Sequence, residues 1–220
     1  MIRAYRYILL SVLALLLFAC TTAMAAPSAG FSRDESASLI SYAKACLASS
    51  INNSKPPAAP EFAQRLQRPC FVTFFIGKRV FACFGGFTPR KADLADEIAA
   101  NVTMALKNDR RSRGITADQI AKAGVQITFP VGQPQKVSNY SVIDPQSEGM
   151  FVEGQNGGVA FVPGEAKTAN WAFRQALRRL GEQDASRVTV YRFRAKAIST
   201  RNNIIPSPHP TPTRRVGVNH

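Results

Sequence analysis

The run CFVTFFIGKRVFACFGG, from Cys70 to Gly86, leaves the chain little choice of local structure. β-Branched and aromatic residues fill Cys70–Ile76 and again Arg79–Phe84, and they fit a pleated sheet better than a helix. Only Gly77-Lys78 separates the two runs, which predicts a tight hairpin with Ile76 opposite Arg79 and Val72 opposite Cys83. Side chains alternate along a strand, so that register places Cys70 and Cys83 on one face as diagonal neighbours. A disulfide between them is open but disfavoured, because diagonal Cβ atoms stand further apart than a bridge wants.

The rest of the chain mixes helices and strands without regular alternation. Helical spacing marks Ser36–Ser50, whose apolar stripe includes Cys46, and Asp93–Lys107, whose early Asp93, Asp96 and Glu97 suit the helix dipole. A short helix is predicted over 117–123, with Thr116 and Gln119 as a capping box and Gly124 as its stop. Ala166–Leu180 reads as the last helix, with Gly181 beyond its end. Further strands are predicted at Val125–Pro130, ending at its proline, and at Val188–Ala197. A second hairpin joins Met150–Glu153 to Val159–Val162 around Gly154–Gly158. The class is α+β, an antiparallel or mixed sheet flanked by helices.

The two ends read differently. Arg3 and Arg6, the apolar run Tyr7–Ala19 and Ala23-Met24-Ala25 have the form of a signal peptide over residues 1–25, followed by a flexible lead-in over 26–35. Leu17-Phe18-Ala19-Cys20 offers the alternative of a lipoprotein box, with Cys20 lipidated and retained. Residues 199–220, containing SPHPTPT, read as a proline-rich, solvated tail. The chain is therefore expected to be exported, periplasmic or extracellular, and to meet a membrane only through its leader or a lipid anchor.

Charge and cysteine usage narrow the chemistry. With the leader go two of the 28 basic residues and none of the 14 acidic ones, leaving a net charge of +12. Such a chain is drawn to polyanions, and an anionic polymer or lipid of the cell envelope is the partner this predicts. Cys46, Cys70 and Cys83 remain in an oxidising compartment, so one disulfide plus one free thiol is the arithmetic to consider. Both histidines, His209 and His220, lie in the tail, which excludes Cys-His or Ser-His pairs and histidine metal sites from the folded body. No metal site and no cofactor are expected.

Cations cluster three times. Lys107, Arg110, Arg111 and Arg113 crowd one helix end, and Arg174, Arg178 and Arg179 line the outer side of the last helix. Arg192, Arg194 and Lys196 alternate on one face of the final strand. No aromatic platforms interleave with them, so no specific nucleic-acid motif is present.

The strings CFVTFF, VFACFGGFTPR, a helix ending NDRR, IDPQSEGMFVEG, GVAFVP and VYRFRA occur in an order that resembles the AMMECR-one domain family, over about Ser36 to Ile198. In prokaryotes that family includes protein A of the AmmeMemoRadiSam set. The resemblance implies two α+β subdomains, the larger around an antiparallel sheet, with a cleft near the cysteine motif. The family signature reads leucine-arginine-glycine-cysteine-isoleucine-glycine. Cys83 and Gly85 match it, Phe81 stands in place of the arginine and Ala82 in place of the glycine. Asp109-Arg110-Arg111 stands where the family has aspartate-proline-arginine. This chain also departs from a mostly cytosolic family in carrying an export signal.

Three functions follow as expectations. The first is binding of an anionic envelope ligand through Gly85, Gly86, Asp109, Arg110, Arg111, Arg192 and Arg194. The second is an enzyme using Cys83 beside the Gly85-Gly86 turn. Against this, a thiol among Phe81 and Phe84, without the family's arginine, lacks the cation that would favour a thiolate. The third is a scaffold for a protein partner.

Overall fold

The computed structural model describes residues 30–155 and 157–201. The leader with Cys20, most of the tail and both histidines lie outside them. From Ser32 onward the described residues form one compact unit built on a single six-stranded sheet. Its strands are β1 (Phe71–Ile76), β2 (Arg79–Gly85), β3 (Gly124–Val137), β4 (Gly149–Gly154), β5 (Gly157–Phe161) and β6 (Thr189–Ser199). Their order is β2-β1-β3-β6-β4-β5 and every pair is antiparallel. The helices are α1 (Arg33–Asn52), α2 (Leu94–Asn108), α3 (Ala117–Ala121) and α4 (Ala169–Leu180). The architecture is a curled antiparallel sheet with helices, an α+β fold.

Local signals set most boundaries. A capping box of Ser32 and Glu35 starts α1 inside the segment expected as lead-in, and Thr116–Gln119 caps α3 as expected. Asp93 caps α2 through Asp96 N, at 2.8 Å. Glu97 does something else. Fully buried, it accepts the backbone N–H groups of Arg90 (2.8 Å) and Lys91 (3.0 Å) and so fastens the loop leaving β2.

Three strand predictions need correction. The hairpin turns at Gly77-Lys78 with Ile76 opposite Arg79, but Phe81 is an extra residue, so Thr73 and not Val72 faces Cys83. One inserted residue turns every following side chain to the other face. Phe81 and Ala82 therefore both enter the core, with Phe81 stacked on Phe74 at 6.1 Å. Cys83 and Cys70 end on opposite faces, and Cys46, Cys70 and Cys83 are all free thiols. Next, β3 does not stop at Pro130. β1 pairs with it only as far as Thr128, so the missing N–H of Pro130 lies in a stretch with one strand neighbour, where proline is tolerated. Finally, Ser199–Arg201, expected in the solvated tail, are tied down. Thr200 N donates to Val125 O at 3.0 Å, and Arg201 covers the Phe75 ring while donating to Gly77 O.

The registers sort side chains onto two faces. One carries Val72, Phe74, Val125 and Ile127 on β1 and β3, and Met150 and Val152 on β4. α2 and α1 cover the first group, and α4 covers the second through Ala172, Phe173, Ala176 and Leu180. The other face carries Phe71, Thr73, Cys83, Phe151 and Phe193. There Phe87, delivered by the turn after β2, fits edge-on among Phe71, Phe151 and Phe193 at 4.9–5.2 Å, a favoured aromatic geometry.

Candidate functional site

The first candidate cluster grows from the end of α2. Asp109 closes the helix and caps the turn Arg110–Ser112, its Oδ1 accepting from Arg111 N at 3.0 Å. Its Oδ2 accepts the backbone N–H of Cys83 at 3.1 Å. β2 is an edge strand, so this carboxylate occupies a donor that would otherwise be open to pairing. The Arg111 side chain folds back onto the same carboxylate, with Nη2 at 2.7 Å, and reaches Glu165 Oε1 at 3.4 Å. Glu165, on the segment leaving β5, also accepts from Val162 N at 3.3 Å. Arg111 therefore ties together segments attached to the two edge strands, β2 and β5.

Cys83 sits at this junction, its Sγ 3.2 Å from Thr73 Oγ1. Although the residue is half-buried, burial of its thiol pushes it up to about 12, and the Glu165 charge acts the same way. The Thr73 hydrogen bond and Arg111 pull in the opposite direction without prevailing. Asp109 and Glu165 already claim the Arg111 charge. Burial opposes that charge, yet the Asp109 hydrogen bonds and both carboxylates hold the guanidinium pKa above its ordinary value. Burial raises Glu165 as well, against Arg111 and Arg179. A cation thus does replace the arginine absent at Phe81, but inside a neutralised network beside a protonated thiol.

A measurable consequence follows. At pH 8 a thiol titrating at about 12 is thiolate about one time in ten thousand, against roughly a quarter for a free cysteine. Iodoacetamide should therefore label Cys83 in the native protein at least ~100-fold more slowly than a small thiol. Cys46, Cys70 and Cys83 should all label without reductant once the chain is unfolded. Mass spectrometry of the alkylated protein decides, and rapid native labelling of Cys83 would contradict this account of its surroundings.

The other expected site residues are dispersed. Gly85 pairs within the sheet, where a Cβ would overlap Cys70 O and the Phe71 backbone. Gly86 donates its N–H to Cys70 O at 3.3 Å, so that group is committed to the fold. Arg110 is exposed. Arg179 is exposed on its helix, as expected, and its guanidinium lies over the Phe161 ring at 4.8 Å, where partial burial first and Arg111 second lower its pKa.

Arg192 and Arg194 belong to a second place. They line a shallow groove of about 440 Å³ with Val131, Gly132, Gln133, Gln135, Glu148 and Phe193. Arg194 stands opposite Val131 and Arg192 opposite Gln135, flanking a bulge at residues 132–134 in which Gly132 adopts φ +72°. Arg192 donates to Gln135 at 3.3 Å and lies 3.8 Å from Glu148. Arg194 pairs with no carboxylate among the described residues. By register the groove lies on the helix-bearing face, over β3 and β6, so the sheet separates it from Cys83. Among the described residues no cluster of three or more His, Cys, Asp and Glu side chains could hold a metal ion.

The AMMECR1 family model matches residues 40–198, most of this chain. The chain belongs to the AMMECR1 family. A search of curated proteins finds no match. Among solved structures, an uncharacterised protein from Pyrococcus horikoshii is similar with a TM-score of 0.57, at 16% sequence identity, covering 72% of this chain and 88% of that one. At that identity the likeness concerns the fold of the AMMECR1 domain, and it leaves the chemistry to be argued from the residues above.

Proposed function

We propose that this AMMECR1-family chain is a non-catalytic binding domain that holds the oxyanion group of a ligand in the Arg192–Arg194 groove. The leader pattern of residues 1–25 would place that role in the cell envelope. One observation carries the reading: two arginines stand side by side in a groove, one braced by Gln135 and Glu148, the other without a carboxylate partner among the described residues. Arginine presents a planar fork that matches phosphate and carboxylate oxygens. The enzyme reading draws no comparable support, because the Cys83 thiol is protonated near neutral pH and its neighbours are occupied with one another.

The test is a titration with inorganic pyrophosphate followed on the arginine Nε–Hε signals by NMR. The double substitution Arg192→Gln/Arg194→Gln should weaken binding at least tenfold, about one charged hydrogen bond. Cys83→Ser should leave it unchanged. Binding that survives loss of both arginines, or that disappears with Cys83→Ser, refutes the proposal.

A further inference from the structure

We infer that the groove takes a linear phosphate polymer laid along β6 rather than an isolated anion; this rests on the oxyanion-binding reading above and extends it. A strand advances ~3.3 Å per residue, so Arg192, Arg194 and Lys196 present positive charges about 6–7 Å apart on one face, over a span of about 13 Å. Their partners across β3 are Gln135, Val131 and Phe129, and Arg192 also faces Met150 on β4, none of them acidic. Glu148 is the acid against this row, and it faces the Arg192 end. Arg194 and Lys196 are exposed. Arg68 lies over the Phe129 ring at 5.0 Å, and Phe129 is the residue across from Lys196.

The lining discriminates among linear anions. A protein partner is usually anchored by apolar or aromatic side chains in pockets, and here Val131 is the exposed apolar group. Bases are usually held by stacking on exposed aromatic rings, and the nearby Phe129 and Phe193 are both buried. Two arginines and two glutamine amides remain against one carboxylate, Glu148, with Lys196 beyond them along β6, which suits a backbone whose charge repeats along the chain and which carries no rings to stack. Linking the anions lets one chain occupy successive cations at high effective concentration, so affinity climbs with length until the row is filled.

The experiment uses the full chain and three probes: orthophosphate, tripolyphosphate and a linear polyphosphate of about fifteen units, titrated by calorimetry over a range of salt. Affinity should rise at least 100-fold from the first probe to the last. The log–log salt slope for the polymer should lie near −2, about 0.7 per cation engaged. Arg194→Gln/Lys196→Gln should flatten that slope by about one unit or more. Arg174→Gln/Arg178→Gln, removing two exposed cations on α4, should leave it unchanged. If orthophosphate binds as tightly as the polymer and still depends on Arg194, the polymer inference falls and the single-anion reading stands. If no probe depends on Arg192 or Arg194, both fall. If the α4 pair flattens the slope as much as the β6 pair, binding reflects diffuse net charge and the inference is overturned.

Discussion

Arg111→Met should cost about 2–4 kcal/mol of stability at pH 7 and distinctly less at pH 5. The substitution keeps an apolar stem but removes the charge that Asp109 and Glu165 share, at 2.7 and 3.4 Å. Both carboxylates are largely buried, with side chains 13% and 5% exposed, and a buried charge that loses its partner is strongly destabilising. The lower end of the range reflects the part of Arg111 that reaches solvent. The pH dependence follows from Glu165, whose pKa burial already raises while Arg111 and Arg179 pull it down. A carboxyl with a raised folded pKa contributes most to stability below its unfolded pKa, and that contribution is lost as pH rises through the folded value. Without Arg111 the folded value climbs further, so the deficit widens toward neutral pH and shrinks on acidification. Urea unfolding of both proteins at the two pH values measures this. A deficit of equal size at pH 5 and pH 7, or one below about 1 kcal/mol, would show that Arg111 does not hold this junction.

The chain announces its elements more clearly than the way they meet. Apolar spacing and caps carried the helices, and Thr116 with Gln119 or Asp93 with Asp96 work as short-range rules require. β-Branched and aromatic runs carried the strands, including the hairpin that Gly154 and Gly157 close. The registers were less legible. Nothing local to Phe81 says that it is a bulge; its place follows from stacking on Phe74 in the core that α2 covers. That one residue decides whether Cys83 faces Cys70 or faces Thr73 and the Asp109–Arg111–Glu165 network. Glu165 lies 54 residues from Arg111, and no periodicity links them. Proximity of the edge-strand segments, created by the curl of the sheet, brings them together.

The groove was half legible for a similar reason. Alternation along Thr189–Ser199 is enough to put Arg192, Arg194 and Lys196 on one face. What makes that face a groove is the β3 bulge opposite, where residues 132–134 leave the ladder between Val131 and Gln135. Pro130 reads as a break, whereas the chain continues through it and leaves the ladder only at residues 132–134.

The two adjacent glycines of the cysteine motif should answer substitution in opposite ways. Gly85→Ala is expected to cost about 3 kcal/mol, and Gly86→Ala less than about 1 kcal/mol. A methyl at Gly85 would overlap the Cys70 carbonyl oxygen and the Phe71 Cα, backbone atoms at the start of β1 that cannot swing aside like a flexible side chain. Overpacking of this kind typically costs 1–3 kcal/mol. Parting the strands also strains the bond from Gly86 N to Cys70 O, about 1 kcal/mol more. At Gly86 the nearest atom to an added Cβ is 3.8 Å away, and its φ is not in the left-handed region, so alanine fits. For a folded body of this size the first change should lower Tm by about 6–12 °C and the second by no more than a few degrees. The pair separates two meanings of the motif. If Gly85 serves close packing, its cost appears in thermal unfolding while pyrophosphate binding at the Arg192–Arg194 groove persists below the transition. Should Gly85→Ala leave Tm unchanged and abolish ligand binding instead, the turn would be the binding element and the groove assignment would fail.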